Sequence, residues 1–247
     1  MNDALLLTAA AAATVLATGL GAIPVMLLGD RATAFEPALS GLAIGVMAVA
    51  AVVGLLVPAV QDGGPIEVLA GIVIGAGGLW WAGHRLRARF ETEERQGRAD
   101  RLAVLTFGVL LVHSLPEGLA IGAAWEASGG LATFVILAIA IQNIPEGTAV
   151  AVALEQAGRG PWEQFRAAVV SSAPQIPGAL LAWWAVDAIN GLLPVSFAAA
   201  GAAMLALVGA ELVPAAWRAG GHRSAAGGVL AGAAIMGLIA VILSPAA

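Results

Sequence analysis

His113-Ser114-Leu115-Pro116-Glu117-Gly118 and Gln142-Asn143-Ile144-Pro145-Glu146-Gly147 are two copies of one pattern. Each places a side chain with nitrogen or oxygen four residues before a glutamate, with Pro just before that acid and Gly just after it. Positions 113 and 142, 116 and 145, and 117 and 146 are each 29 residues apart. Residues i and i+4 share a helix face, so His113 joins Glu117 and Gln142 joins Glu146. Both copies lie deep in apolar runs, about 102–125 and 130–154. A carboxylate at the centre of a bilayer costs about 2.5–3.5 kcal/mol on insertion scales, and such residues mark pathways or bound ions. Consecutive spans cross in opposite directions, so the two copies face one another as an inverted pair, an arrangement common in transporters.

Working outward, the chain holds six further apolar segments: about 4–28, 40–60, 66–84, 167–186, 191–217 and 225–244. Each is long enough to cross a hydrocarbon core. The 247 residues are 60% hydrophobic and 11% charged, against about 45–50% and 25% in soluble chains. With a mean hydropathy of +0.92, an ordinary soluble enzyme is excluded. The expected fold class is an all-α integral membrane protein with eight transmembrane helices, forming one transmembrane domain over 1–247. There is no Cys, which excludes disulfides and thiolate metal sites. No basic stretch carries interleaved aromatic residues, so nucleic acid is not an expected partner. The N-terminus lacks the basic region of a cleavable signal, and the first helix is expected to be kept.

All eleven basic residues are Arg. The stretches after segments 1, 3, 5 and 7 hold one, six, two and two of them; the other stretches and both ends hold none. Under the positive-inside rule the odd-numbered loops are cytoplasmic and both termini lie outside. The longest polar stretch, 85–101, is then a cytoplasmic loop or solvated helix extension between the third and fourth helices. His113 lies 11 residues beyond Leu102, and Gln142 lies 12 before Leu154. Both motifs therefore sit near the midplane, where secondary transporters bind substrate.

The two faces offer one imidazole nitrogen, one amide oxygen and two carboxylates. Pro116 and Pro145 each remove a helix hydrogen bond, to the carbonyls of Val112 and Ile141, and are expected to kink their helices. Two carboxylates neutralise a divalent ion, and nitrogen and oxygen ligands without thiolate suit zinc and neighbouring metals. The same ligands also fit an intramembrane metal-dependent hydrolase, since a bound metal activates water. No His-Glu-x-x-His pattern or spare general base accompanies them, and the chain is read as no enzyme. A non-selective cation channel is the other alternative, although a filter of carbonyls has no use for imidazole.

His-Ser-Leu-Pro-Glu-Gly and Gln-Asn-Ile-Pro-Glu-Gly resemble the fourth- and fifth-helix signatures of the ZIP (Zrt/Irt-like) divalent metal transporters of compact bacterial type. The resemblance covers essentially the whole chain. It implies uptake of Zn²⁺, and often Cd²⁺, Fe²⁺ or Mn²⁺, into the cytoplasm across a bacterial inner membrane. The metal is then substrate, and no cofactor is implied. It also implies inverted repeats in a 3+2+3 order and an elevator-like cycle, often within a homodimer. His113, Glu117, Gln142 and Glu146 match the family's transport site, and Met47 matches a thioether contributor.

A second, adjacent metal site of the family often has Asn, Asp and Glu where this chain has Ser114, Asn143 and Gln175. Two carboxylates have become amides, which leaves a pair of dications under-compensated in low dielectric. One metal is expected, with Ser114, Asn143 and Gln175 as neutral groups along the pathway or behind the ligands. Glu211, in Gly209-Ala210-Glu211, resembles the seventh-helix signature without its preceding His and is expected either to stand along the pathway as an exit site or to make a structural hydrogen bond. His84 and His222 read as solvated residues near cytoplasmic ends. Trp80, Trp81, Trp125, Trp183, Trp184 and Trp217 read as interfacial anchors.

Overall fold

Inside a hydrocarbon layer no water competes for backbone hydrogen bonds, so apolar runs satisfy themselves as helices. The computed structural model describes residues 2–91, 98–189 and 191–243, and every regular element among them is helical. The order is α1 (Asn2–Leu28), α2 (Glu36–Val49), α3 (Val57–Asp62), α4 (Pro65–Glu91), α5 (Arg98–Ala127), α6 (Gly129–Gln156), α7 (Pro161–Ser172), α8 (Gln175–Ala188), α9 (Leu192–Leu207), α10 (Val213–Ala219) and α11 (His222–Leu243). A π-helical stretch, Ala50–Leu56, joins α2 to α3, and another, Val208–Leu212, joins α9 to α10. Local chemistry sets the junctions. The Ser128 hydroxyl caps α6 by accepting from Leu131 N at 3.2 Å, and Gly158 turns the chain after α6 at φ +71°.

Seven helical runs among the described residues are long and apolar enough to cross a membrane: Asn2–Leu28, Arg31–Asp62, Pro65–Arg85, Ala103–Ala127, Gly129–Gln156, Leu192–Arg218 and His222–Leu243. The apolar segment at 167–186 differs from the sequence expectation. It is divided between α7 and α8 by a turn at Ala173-Pro174. The cause is local: Pro174 and Pro177 have no N–H to continue the ladder. The turn is instead closed by shorter bonds, from Ala173 N to Val170 O at 3.1 Å and from Ile176 N to Ala173 O at 3.2 Å. The polar stretch 85–101 is helical at both ends, as α4 reaches Glu91 and α5 starts at Arg98; its centre, 92–97, lies outside the described residues.

Four helix pairs pack at backbone contact: α1 with α6, α5 with α8, α2 with α11, and α4 with α9. Small residues permit this approach, as they do between membrane helices generally. A Cβ on Gly147 would lie 2.7 Å from the Thr18 carbonyl carbon, and one on Gly45 would lie 2.8 Å from Ala233 N. Two groups of helices result, α1 with α5–α8, and α2–α4 with α9–α11. Among the described residues, every glycine whose Cβ would come within 3 Å of another helix's backbone joins members of one group. Across the divide Gly54 meets only the Phe134 ring and the Val135 side chain.

Candidate metal centre

The two hexapeptides meet where α5 and α6 cross. His113 Nε2 lies 3.3 Å from Glu117 Oε1 and 3.6 Å from Glu146 Oε1. His113, Glu117 and Glu146 each offer a ligand atom within 4.8 Å of the others. Ligands about 2.1 Å from a tetrahedral zinc stand about 3.4 Å apart, which matches the two imidazole–carboxylate separations. His113, Glu117 and Gln142 are fully buried, and Glu146 is 3% exposed. Both His113 nitrogens, Gln142 Oε1 and Glu146 Oε1 have no hydrogen-bond partner. Buried polar atoms almost always have one, and buried charges are paired or coordinate metals. Of the unpartnered atoms, His113 Nε2 is the nitrogen that lies beside the two glutamates, and with Gln142 Oε1 and Glu146 Oε1 it makes three unpartnered atoms able to ligate a cation.

Gln142 Nε2 donates to Glu117 Oε1. The amide's other end, Oε1, is the one without a partner. Amide rotation exchanges the two ends, so the same side chain either holds the carboxylate or presents oxygen to a cation.

Ser114, Asn143 and Gln175 occupy the neighbouring position and bond to protein. Gln175 Nε2 donates to Glu117 Oε2 at 2.6 Å and to Asn143 Oδ1 at 3.3 Å. Gln175 Oε1 accepts from the Thr14 hydroxyl at 2.6 Å and from Asn143 Nδ2 at 3.2 Å. Asn143 Nδ2 also donates to Thr14 O at 2.7 Å. The Ser114 hydroxyl is within 2.8 Å of both Leu110 O and Ser171 O, so it turns toward α7 rather than the His113 cluster. The α7–α8 turn makes this possible, because it carries Gln175 into the bundle at the first residue of α8.

The remaining expected residues are dispersed. Pro116 and Pro145 lie inside α5 and α6, which continue through them as helix. Met47 is fully buried on α2 within the main apolar core, one turn before the π-helical stretch. Glu211 sits in the second π-helical stretch and lies outside the three-residue cluster. It lines a cavity of about 410 Å³ together with Pro145, Glu146, Glu36, Ser40, Gln156 and Arg218. A smaller space of about 330 Å³ brings Glu211 and His84 onto one lining. His84 stacks on Trp80, and His222 stacks on Trp217 with centroids 4.4 Å apart. Trp80, Trp81, Trp184 and Trp217 are exposed as anchors would be, whereas Trp125 and Trp183 pack partly against the core.

Sequence reasoning missed Thr14, Thr18 and Ser172. Thr18 Oγ1 donates to Ser172 Oγ at 2.7 Å, tying α1 to α7 beside the Gln175 network. Thr14 and Thr18 are four apart among alanines, which marks a face but no partner. The break before Gln175 did have a signal, since Pro174 and Pro177 flank it.

The profile described as ZIP Zinc transporter matches residues 83–240. The chain is 32% identical over 234 residues to the zinc transporter GufA of Myxococcus xanthus, covering 87% of this chain and 90% of that protein. It is 31% identical over 206 residues to a candidate zinc transporter of Arabidopsis thaliana. That match covers 82% of this chain but only 33% of the plant protein, so the chain spans about a third of that relative's length.

Proposed function

The chain belongs to the ZIP zinc transporter family, and from that premise we propose that it carries Zn²⁺ into the cytoplasm through His113, Glu117, Gln142 and Glu146. Cd²⁺, Fe²⁺ and Mn²⁺ are the related substrates. The observation that carries this reading is the buried cluster itself: two imidazole–carboxylate separations that match tetrahedral spacing, and three ligand atoms, His113 Nε2, Gln142 Oε1 and Glu146 Oε1, without a protein partner. Met47 contributes a thioether from α2, and one metal is bound at a time. Ser114, Asn143 and Gln175 stand behind the ligands, and Glu211 lies along the way out.

The topology we propose counts α7 and α8 together as the sixth of eight spans, with both termini outside a bacterial inner membrane. The helix pairing supports inverted repeats in a 3+2+3 order. The contact of α1 with α6 has its counterpart in α8 with α5, and that of α2 with α11 in α9 with α4. The large cavity reaches Glu146 from the ends of α2, α6 and α10 that carry Glu36, Gln156 and Arg218, the side assigned to the cytoplasm by arginine content. The site thus faces inward. An elevator-like motion of α1 and α5–α8 against the rest is supported by where backbone-to-backbone contacts fall. The closest of them, within 3 Å of a glycine's added Cβ, all fall inside one group or the other. A homodimer is the assembly proposed.

The test is saturable Zn²⁺ and Cd²⁺ uptake into proteoliposomes by the wild type, Glu117→Ala and His113→Ala. Uptake is expected in the wild type and lost in both variants. Wild-type binding without flux, or flux that survives both substitutions, would overturn the reading.

A further inference from the structure

The way Glu117 is held has a consequence for which ions the site accepts. Its two oxygens have different surroundings. Oε1 faces His113 and Gln142, inside the unpartnered cluster. Oε2 faces away, and Gln175 Nε2 donates to it at 2.6 Å. Gln175 cannot turn to release that oxygen without loss. Its own Oε1 accepts from Thr14 Oγ1 and Asn143 Nδ2, and a reversed amide would put oxygen against a carboxylate. Thr14, Glu117, Asn143 and Gln175 are all fully buried, so a bond that opens leaves a buried polar group to be satisfied again. Three helices close the arrangement: α1 gives Thr14, α6 gives Asn143 and α8 gives Gln175.

We propose that Gln175, held by Thr14 and Asn143, is a specificity-determining positioning residue that restricts Glu117 to one metal-facing oxygen. This rests on the proposed transport site and goes beyond it in saying how the site discriminates. Four nitrogen and oxygen atoms then face the ion, beside the Met47 thioether: His113 Nε2, Glu117 Oε1, one Glu146 oxygen and the Gln142 amide oxygen. Four ligands of mixed nitrogen and oxygen suit tetrahedral zinc. Ions that want six or more oxygens, such as Ca²⁺ and octahedral Mn²⁺, depend on carboxylates that chelate with both oxygens. Gln175 denies them the second oxygen of Glu117.

The experiment measures competing Zn²⁺ and Mn²⁺ uptake in proteoliposomes for the wild type, Gln175→Ala and the near-isosteric Thr14→Val. Zinc K-edge absorption of each purified protein gives the coordination number. Removing a group behind a metal ligand typically costs 10–100-fold in affinity. The preference for Zn²⁺ over Mn²⁺ is therefore expected to fall by about tenfold or more in Gln175→Ala and by less in Thr14→Val. Four nitrogen or oxygen ligands are expected around zinc in the wild type, with a further oxygen in Gln175→Ala. A preference unchanged in both variants, or Zn²⁺ and Mn²⁺ uptake falling in equal proportion, would overturn the proposal while leaving the transporter reading intact. Failure of the wild type to move either ion would instead overturn the transport reading itself. Should Gln175→Ala not fold, Thr14→Val decides alone.

Discussion

Gly147→Ala tests whether the metal centre depends on α1 resting directly on α6. The added Cβ would lie 2.7 Å from the Thr18 carbonyl carbon and closer still to its oxygen, where ordinary contact is 3.4–4 Å. Both partners are backbone, so no side chain can swing aside, and α1 must retreat by about 1.5 Å. Four hydrogen bonds cross or adjoin that contact: Asn143 Nδ2 to Thr14 O at 2.7 Å, Thr14 Oγ1 to Gln175 Oε1 at 2.6 Å, Thr148 Oγ1 to Gly21 O at 2.7 Å and Thr18 Oγ1 to Ser172 Oγ at 2.7 Å. A retreat of that size takes them past about 3.2 Å, beyond the normal range. Overpacking costs about 1–3 kcal/mol, and each weakened bond adds up to about 1 kcal/mol. The expected loss is about 3–6 kcal/mol, or a Tm lower by roughly 10 °C in a chain of this size. The assay is thermal unfolding in detergent followed by tryptophan fluorescence, with Gly77→Ala as control. A Cβ on Gly77 meets nothing within 4 Å, and Ala in a helix interior is favoured by about 0.5–1 kcal/mol. Zn²⁺ uptake is expected to fall with stability, because Asn143 and Gln175 lose their anchor on α1. If Gly147→Ala melts within about 2 °C of the wild type and transports normally, the contact does not position the site and the reasoning fails.

Three further outcomes are expected. Ser40 lines the large cavity and the chain has no cysteine; Ser40→Cys should therefore react with a membrane-impermeant thiol reagent applied from the arginine-rich side and stay inert from the other. Met47→Leu keeps the volume of a fully buried side chain but removes the sulfur, so Cd²⁺ uptake should fall more than Zn²⁺ uptake because thioethers favour the softer ion; equal uptake of both would return Met47 to packing alone. The Arg159–Asp100 pair is 3.2 Å long with both side chains about half exposed, so Asp100→Ala should change stability by less than about 1 kcal/mol and leave uptake unaltered, as chemical unfolding and flux would show.

The sequence by itself determined the membrane class, and it supplied the expected side of each arginine and the residues we propose to face the metal. These are legible because a bilayer imposes one-dimensional rules: span length, charge asymmetry and the cost of burying a carboxylate. The i,i+4 spacing of His113 with Glu117 and Gln142 with Glu146 needed only helix geometry. Tertiary structure decided what spacing along one helix cannot encode. That Gln175 reaches Glu117 follows from the turn at Ala173-Pro174 and from α5 lying against α8 through Gly118 and Gly122. That Thr14 belongs to the same network follows from α1 touching α6 at Gly21 and Gly147. A threonine among alanines carries no sign of its partner 161 residues away. Its role exists only because glycines allow two backbones to meet, a packing choice made between helices and not within one.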